Sequence, residues 1–317
     1  MRNAPLAQGS ISLRVYPADL PPREVVGDLQ AQARAAEAAG FDGCMTSEHH
    51  GGFPNYLPNA LLAATWLLEA TSTIWAAPCP LVLPLRAVSQ TAEDIAWTHH
   101  RFPGRVGLGV CAGALPVDFE LADVPFGELF PRYRAALARL AAILQGRAEG
   151  AIADDPAIKD LAPGAIPMVA AVQAPATAAR AARLGLGMLC DSLQTIPRTR
   201  ELTDAFRAAG GTGPTVLIRR LWIGPPPTDN MAAQMTRYRG YAPQRAMARW
   251  GDDDALIDGD DGRAVAERLA AALHDAGCDT TNIRVFLAGM SAEQVHEQIR
   301  RHGAETVPAL RALLDAS

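Results

Sequence analysis

Short apolar runs alternate along the chain with longer amphipathic runs, and this alternation constrains the fold more than any other feature of the sequence. The short runs have the length and composition of buried β-strands, whereas the longer runs repeat apolar residues at the i, i+3, i+4 spacing of helices. The predicted strands are residues 11–16, 43–47, 74–83, 106–110, 166–172, 187–190, 215–223 and 283–287. The predicted helices are residues 23–39, 59–70, 88–101, 129–144, 175–184, 197–209, 263–276 and 292–302.

Eight strand–helix units in succession predict an α/β fold in which a parallel sheet closes into a (β/α)8 TIM barrel covered by helices. Two segments interrupt the alternation, residues 145–164 and 224–261. We interpret them as insertions into a single barrel domain spanning residues 1–317. The second follows the seventh strand, contains a predicted helix at 231–250, and is placed to act as a lid or an oligomer contact.

Charge and composition exclude several classes of function. The chain has 29 Lys and Arg against 34 Asp and Glu, a net charge of −5, and so lacks the basic field that nucleic-acid binding requires. We find no signal peptide and no apolar stretch long enough for a membrane span. Five cysteines without a Cys-x-x-Cys pair predict reduced thiols, and therefore a cytoplasmic protein.

Polar residues follow five neighbouring strands at the barrel end where (β/α)8 enzymes place their active sites. They are Ser47, Glu48, His49 and His50 after the second strand, Cys79 and Pro80 within the third, Cys111, Ala112 and Gly113 after the fourth, Gln173 after the fifth, and Asp191 and Ser192 after the sixth. The sequence therefore predicts one active site at this end of the barrel, which we call the mouth.

Glu48, His49 and His50 carry metal-ligand side chains, but adjacent residues of an extended segment point to opposite faces and cannot chelate one ion together. We therefore predict no metal site. One alternative is a solvated polar loop. The functional interpretation gives His49 a role in proton transfer, because an imidazole pKa of about 6.5 suits chemistry near neutral pH.

Three prolines, Pro78, Pro80 and Pro84, fall within the third apolar run and predict a local break in that strand. The residues alone leave two forms open, a trans strand with a bulge or a cis bond before Pro80. The cysteines fall mostly inside predicted strands, which is typical of small buried residues and not of nucleophiles.

Four ordered motifs resemble the bacterial luciferase-like flavin monooxygenases. They are residues 38–43 with 47–50, residues 81–86 with 92–94, residues 104–110, and Asp118 with Phe119, and the similarity continues through 166–192 and 263–287. The resemblance implies an oxidoreductase that uses reduced FMN and dioxygen to oxygenate a small organic substrate. It also implies a flavin reductase as a partner. Alanine-rich outer helices at 59–70 and 129–144 favour a homodimer.

The resemblance assigns roles to individual residues. His49 corresponds to the histidine near the reactive carbon of the flavin, with Glu48 beside it as a second candidate catalytic residue. Cys79 and Pro80 occupy the position of a cis-peptide bulge behind the isoalloxazine. Cys111 corresponds to the cysteine at the flavin edge. The remaining candidate cofactor-binding residues are Gly113, Gln173, Ala174, Thr177, Asp191 and Ser192.

Two positions depart from the pattern at the phosphate end of the cofactor. Ala112 stands where relatives commonly have an arginine, and Ala174 stands at a serine position. Loss of a charge-assisted hydrogen bond costs about 1.5–3 kcal/mol. Thr177 and free N–H groups at the following helix N-terminus could still hold an anion. A deazaflavin-dependent hydride-transfer oxidoreductase and a non-catalytic flavin-binding protein therefore stand as alternatives.

Overall fold

The computed structural model describes residues 3–242, 244–248, 250–251 and 256–316. Its strands are β1 (Ile11–Arg14), β2 (Gly43–Thr46), β3 (Trp75–Pro78), β4 (Leu81–Val82), β5 (Leu108–Cys111), β6 (Met168–Val172), β7 (Gly187–Cys190), β8 (Thr215–Ile223), β9 (Ile257–Gly259) and β10 (Thr280–Arg284). Its α-helices are α1 (Pro22–Ala38), α2 (Ala60–Ala70), α3 (Val88–Arg101), α4 (Pro116–Glu120), α5 (Leu129–Leu144), α6 (Pro156–Lys159), α7 (Pro175–Arg183), α8 (Ile196–Ala208), α9 (Thr228–Tyr241), α10 (Gln244–Met247), α11 (Gly262–Ala276), α12 (Ala292–Arg301) and α13 (Val307–Asp315).

The strands form one parallel sheet that closes on itself. Its order is β3-β2-β1-β10-β8-β7-β6-β5-β4, and β9 pairs with β8 outside this path. A bridge between Ala76 and Val106 joins β3 to the segment that leads into β5. The Ala76 N–H donates to the Arg105 carbonyl at 2.9 Å, and the Gly107 N–H donates to the Ala76 carbonyl at 3.1 Å. β3 and β4 are thus two halves of the third barrel strand, and the predicted TIM barrel is confirmed.

Local sequence signals explain where several barrel helices begin and end. Asn59 and Asp261 accept backbone N–H bonds at the starts of α2 and α11, which satisfies N–H groups that a helix start leaves unpaired. Ser291 and Gln294 form a capping box at the start of α12. Gly277 ends α11 with a φ of +65°, a conformation that glycine adopts without a steric penalty.

The two largest apolar clusters of the core lie on the two faces of the barrel sheet, and a third, smaller one joins Leu193 to Met235 and Tyr238 of α9. An inner cluster fills the barrel, and an outer cluster lies between the strands and the helices. The inner cluster comprises Leu6, Met45, Trp75, Ala77, Cys79, Val169, Leu189, Val216 and Ile218. Alternate residues of each strand therefore belong to different clusters, and this alternation identifies which side chains point into the barrel.

Most predicted boundaries agree with the structure to within two residues, and those of two elements differ by more. The last barrel strand is β10 and not 283–287, because its hydroxyls make hydrogen bonds inside the sheet, such as Thr281 Oγ1 to the Leu217 carbonyl at 3.3 Å. The predicted helix 231–250 was also wrong in extent. α9 ends at Tyr241, and Ala242 is extended with ψ 138°, as expected for a residue that precedes a proline. Positions 243 and 249 of that prediction lie outside the described residues.

The predicted insertions contain helices and a strand, of which the sequence predicted only the helix that corresponds to α9. Residues 145–164 include α6, and residues 224–261 include α9, α10 and β9. The grouping of residues 1–317 into a single barrel domain stays a prediction. Within the described residues, no helix is both long enough and apolar enough to span a bilayer.

Gly109 on β5 generates the first prediction. A Cβ atom at this position would lie 2.1 Å from Cys79 Sγ and 3.0 Å from Cys79 Cα, so Gly109→Ala forces the backbone of the third barrel strand to move. We expect the free energy of unfolding in urea to fall by at least about 1–3 kcal/mol. The control is Gly27→Ala in α1, where no atom lies within 4 Å, and we expect a gain of about 0.5–1 kcal/mol. Equal effects of the two substitutions would contradict the close approach.

Candidate active site

Glu48 is a buried carboxylate that holds three segments of the mouth together. Its Oε1 accepts the Val82 N–H at 2.8 Å, and its Oε2 accepts the Ala60 N–H and Arg86 Nη2, both at 3.0 Å. The residue is 2% exposed. Ala60 is the first residue of α2, so the carboxylate also lies at the positive end of a helix dipole. These contacts define a positioning group, and a catalytic role for Glu48 stays a prediction.

His49 forms a hydrogen-bonded pair with Asp118. His49 Nδ1 lies 2.9 Å from Asp118 Oδ2, and the other carboxylate oxygen accepts the His50 N–H at 2.8 Å. Asp118, on α4, is fully buried, whereas the His49 side chain is 17% exposed. The carboxylate favours a proton on Nδ1 and leaves Nε2 as the acceptor that faces the mouth. Among the described residues, none bonds Nε2.

Aromatic rings surround the His49 imidazole. Its ring centroid lies 4.5 Å from that of Phe53, 4.6 Å from Tyr56 and 6.4 Å from Tyr241. Phe53 and Tyr56 come from the loop after β2, and Tyr241 is the last residue of α9. The predicted excursion after the seventh strand therefore covers the mouth and restricts the access of water to His49.

The third barrel strand breaks beside this pair. The peptide bond between Cys79 and Pro80 is cis, the form that the resemblance implies. Cys79 is fully buried, and burial raises the pKa of its thiol to about 11. Cys111 ends β5 and is partly exposed; burial, followed by the nearby Glu48 and Asp118, raises the pKa of its thiol to about 12. Both sulfur atoms are neutral thiols at neutral pH.

The proposed phosphate end lies at the start of α7. The Thr177 hydroxyl donates to the Ala174 carbonyl at 2.7 Å and accepts the Ala174 N–H at 3.2 Å, so it closes the helix start. Arg198 of α8 approaches the same place, because its Nη2 donates to the Gln173 carbonyl at 2.9 Å. Arg198 Nη1 also pairs with Glu201, and within the described residues the buried Nε atom of Arg198 has no hydrogen-bond partner. Arg198 thus brings a cation to a position where the sequence motif lacks one.

Asp191 and Ser192 follow β7 and face different partners. Asp191 Oδ1 accepts the Leu193 N–H at 3.0 Å, and Asp191 Oδ2 lies 3.4 Å from Gln173 Nε2. The Ser192 hydroxyl accepts a hydrogen bond from Arg284 Nη1 at 2.9 Å. The predicted residues Gln173 and Asp191 are therefore in direct contact.

The sequence analysis did not assign two residues of this site. Asp118 was noted as part of a motif but not as a site residue, since its distance from His49 along the chain hides their contact. Arg198 lies in the first turn of α8, and no spacing rule connects it with Gln173. The available signal was that both lie just after strand ends, where the first turns of barrel helices face the mouth.

Comparison with known proteins identifies the family. The family model of luciferase-like monooxygenases matches residues 8–308. The chain belongs to this family, as the sequence motifs predicted. The alkanal monooxygenase alpha chain of the Kryptophanaron alfredi symbiont is 31% identical over 113 residues, which are 36% of this chain and 32% of that protein. The match spans about a third of the length of such curated relatives.

Solved structures share the barrel. The oxygenating constituent of 3,6-diketocamphane monooxygenase from Pseudomonas putida, in complex with FMN, has a TM-score of 0.72 at 16% identity and covers 95% of this chain and 99% of its own. An F420-dependent secondary alcohol dehydrogenase has a TM-score of 0.71 at 16% identity, with coverages of 96% and 99%. These likenesses establish the fold.

The residues present fit a flavin-type cofactor. His49 and the partly exposed Cys111 lie at the mouth, and Gly113, with a φ of +87°, turns the chain after Cys111 where a Cβ atom would meet Val82 and Phe119. The buried, unpartnered Nε of Arg198 provides a donor for a phosphate near the N-terminus of α7. The chain therefore offers an imidazole, a thiol and a cation to a flavin-type cofactor. The cation comes from α8 and not from position 112.

Glu48 generates a prediction of stability. In Glu48→Gln, an amide N–H₂ replaces one acceptor oxygen and the ion pair with Arg86 is lost. We expect the free energy of unfolding to fall by about 2–4 kcal/mol in urea titrations. Glu69→Gln removes an exposed ion pair with Arg101 and should change stability by less than about 0.5 kcal/mol. A Glu48→Gln variant as stable as Glu69→Gln would show that Glu48 does not hold the mouth together.

The two raised cysteine pKa values generate a second prediction. A thiol with a pKa of about 11 is ionised in roughly one molecule per thousand at pH 8, so iodoacetamide should leave Cys79 and Cys111 unmodified in the native protein. Peptide mass spectrometry after a timed reaction measures this, and the urea-unfolded protein, in which all five cysteines are free to react, is the control. Rapid alkylation of native Cys111 would mean that its thiol is ionised.

Proposed function

We propose that this protein is a flavin-dependent monooxygenase that oxygenates a small organic substrate at the barrel mouth. The observation that carries the proposal is the His49–Asp118 pair, in which a buried carboxylate orients an imidazole whose Nε2 faces the mouth. The pair lies in a chain of the luciferase-like monooxygenase family. The curated relatives carry the name alkanal monooxygenase, which supports the reaction type.

Reduced FMN, when bound, supplies the electrons with which dioxygen is activated. The protein's own residues have three tasks. His49 Nε2 accepts or returns a proton, and Asp118 stabilises the imidazolium that this transfer produces. Phe53, Tyr56 and Tyr241 keep water from the reacting atoms. Arg198 and the N-terminus of α7 would hold the phosphate.

A deazaflavin-dependent hydride-transfer enzyme is the second candidate. The observation that favours it is the phosphate end, where Ala112 and Ala174 replace the side chains expected for FMN. The solved F420-dependent alcohol dehydrogenase has the same fold, so the barrel accommodates this cofactor class as well. Hydride transfer needs no oxygen, which separates the two candidates experimentally. A flavin-binding protein without catalytic activity would bind FMN and show neither reaction.

We also propose a cellular setting. A flavin reductase would supply the reduced cofactor. Two copies of the chain would pair through outer helices, which is supported by exposed apolar side chains such as Leu62 on α2 and Phe130 on α5. The five free cysteines are consistent with the reducing cytoplasm.

The proposal predicts how bound reduced FMN responds to air. Photoreduced FMN is bound anaerobically and mixed with aerated buffer, and the return of oxidised-flavin absorbance is followed. We expect the wild-type protein to slow this return relative to free FMN. His49→Gln and Asp118→Asn should each change the rate at least about tenfold, which corresponds to about 1.4 kcal/mol in the barrier. Binding of reduced deazaflavin, with hydride exchange in the absence of oxygen, would instead support the second candidate.

His100→Gln is the matched control. His100 lies on the outer helix α3, and its ring bonds the Ala157 carbonyl of α6 at 2.9 Å. Its substitution should leave the rate of flavin reoxidation unchanged. If His49→Gln behaves like His100→Gln while reduced FMN stays bound, His49 has no part in the chemistry.

A further inference from the structure

Three arginines project into the barrel at one level. The strand register pairs Arg14 on β1 with Arg284 on β10, and Arg284 with Arg220 on β8. Adjacent strands lie about 4.8 Å apart, and register partners point to the same face of a sheet. Their neighbours Leu13, Ile283 and Leu221 belong to the outer core, so the arginines face inward. We name Arg14, Arg284 and Arg220 the arginine row.

The arginine row is buried, and within the described residues it makes hydrogen bonds only to neutral groups. Its members are 1%, 9% and 2% exposed, in the order Arg14, Arg284, Arg220. The hydrogen bonds are Arg14 Nε to Asn282 Oδ1 at 3.1 Å, Arg284 Nη1 to Ser192 Oγ at 2.9 Å, and Arg220 Nη2 to the Tyr238 hydroxyl at 2.9 Å. Arg14 Nη2 also lies 3.8 Å from the thioether sulfur of Met45.

Several guanidinium nitrogens of the row have no partner. Arg14 Nη1, Arg284 Nε, and both Nε and Nη1 of Arg220 are buried without a hydrogen bond. In the described part of the chain, none of the three arginines forms an ion pair. Asp191 interacts electrostatically with Arg284, but its carboxylate bonds the Leu193 N–H and Gln173. Burial, and then the neighbouring Arg284 charge, lower the pKa of Arg14.

Buried charges without a counter-charge are costly, and buried N–H groups without an acceptor add to the cost. Three such cations lie on adjacent strands, and an anion bound beside them would offset this cost. A planar oxyanion suits guanidinium groups because it can accept two parallel N–H bonds from each. The acceptor that would complete the row is thus a carboxylate or a similar group.

We propose that the arginine row binds a carboxylate group of the substrate, so that the oxygenated molecule is an organic acid. This inference rests on the proposed function, because the bound acid is taken to be the molecule that the enzyme oxygenates. The anion-binding site itself is defined by the arginine row alone. The row lies on β1, β10 and β8, across the barrel from β5 and β6, where the flavin-type cofactor is proposed to bind. An acid held there would direct its other end toward the centre of the mouth.

Aromatic side chains connect the row with His49. Tyr16 interacts electrostatically with Arg14 and Arg284, and its ring lies 5.6 Å from that of Tyr56. The Tyr56 ring in turn lies 4.6 Å from the His49 imidazole. A substrate with its carboxylate on the row would therefore lie along apolar ring surface that leads to the His49–Asp118 pair.

A small cavity already exists beside Arg220. Its volume is about 10 Å³, room for about one water molecule, and its lining includes Tyr16, Tyr56, Arg220 and Tyr238. Helix α9 closes it: Gln234 accepts the Ala288 N–H at 3.0 Å, and Arg237 Nη1 donates to Asn55 Oδ1 at 2.8 Å. Binding of an organic acid requires α9 to move outward, which breaks these polar contacts and the packing of Met235 and Tyr238 against Leu193.

The test measures anion binding in purified protein without flavin. The unfolding temperature is recorded with acetate, hexanoate and benzoate, each compared with its neutral amide at the same concentration and ionic strength. We expect at least one carboxylate to raise the unfolding temperature in a saturable manner, whereas its amide does not. Arg14→Met and Arg284→Met should each weaken the carboxylate affinity at least tenfold.

Arg219→Met is the matched control because Arg219 precedes Arg220 on β8 and its side chain lies on the opposite face of the strand, outside the barrel. Arg219 donates to the carbonyls of Gln194 at 2.8 Å and Ile218 at 2.9 Å. Without ligand, Arg219→Met should lower the unfolding temperature, whereas Arg14→Met should raise it by removing an unpaired buried charge. Arg219→Met should keep the carboxylate response.

Two results would overturn the proposal. One is the absence of a carboxylate response in the wild-type protein for all three acids. The other is a response of equal size in the arginine-row variants. A third arm compares FMN with riboflavin. If Arg284→Met weakens FMN binding but not riboflavin binding, the row holds the flavin phosphate and the substrate assignment is wrong. None of these results alters the flavin reoxidation experiment with His49→Gln, so the two proposals fail separately.

Discussion

The mouth of this barrel depends on one buried carboxylate. Glu48 joins the end of β2 to the start of α2, to Val82 on the far side of the strand break, and to Arg86. A parallel strand that breaks leaves N–H groups which its neighbours cannot reach, and Glu48 accepts the one at Val82. The break can therefore persist inside a closed sheet. Because His49 is the next residue, the same contacts fix the backbone from which the imidazole projects.

A second carboxylate repeats this arrangement one residue further on. Asp118 accepts the His50 N–H with one oxygen and faces His49 Nδ1 with the other, so it fixes both the backbone and the imidazole. Glu48 and Asp118 differ in what they leave free. The oxygens of Glu48 accept hydrogen bonds that hold segments of the chain together. Asp118 bonds an imidazole whose second nitrogen, Nε2, stays available as a proton acceptor. Glu48 therefore stabilises the structure of the mouth, whereas Asp118 also orients His49 for the proposed proton transfer.

The sequence predicted the fold almost completely because each strand and helix carries its own periodic signal. The sequence-based prediction failed for polar residues that are buried. Thr281 and Asn282 lie in β10 with their side chains hydrogen-bonded within the sheet, and a search for apolar runs passes over them. Strand ends and prolines singled out His49 and the Cys79–Pro80 turn, and the family resemblance implied the cis bond that the structure has there. Asp118 could not be assigned from spacing, since its role arises only when the barrel brings two loops together.

The treatment of buried charge separates the stable frame from the binding region. The buried acids Asp42, Glu48 and Asp118 all accept backbone N–H groups. Asp42 and Glu48 also meet an arginine, Arg311 and Arg86 respectively. The arginine row has no such complement. Apolar side chains of similar volume would often stabilise a barrel at least as well as unpaired cations. Stability of the free protein therefore gives no account of the row, whereas an anionic ligand accounts for its charge, its level in the barrel and its unpartnered N–H groups together.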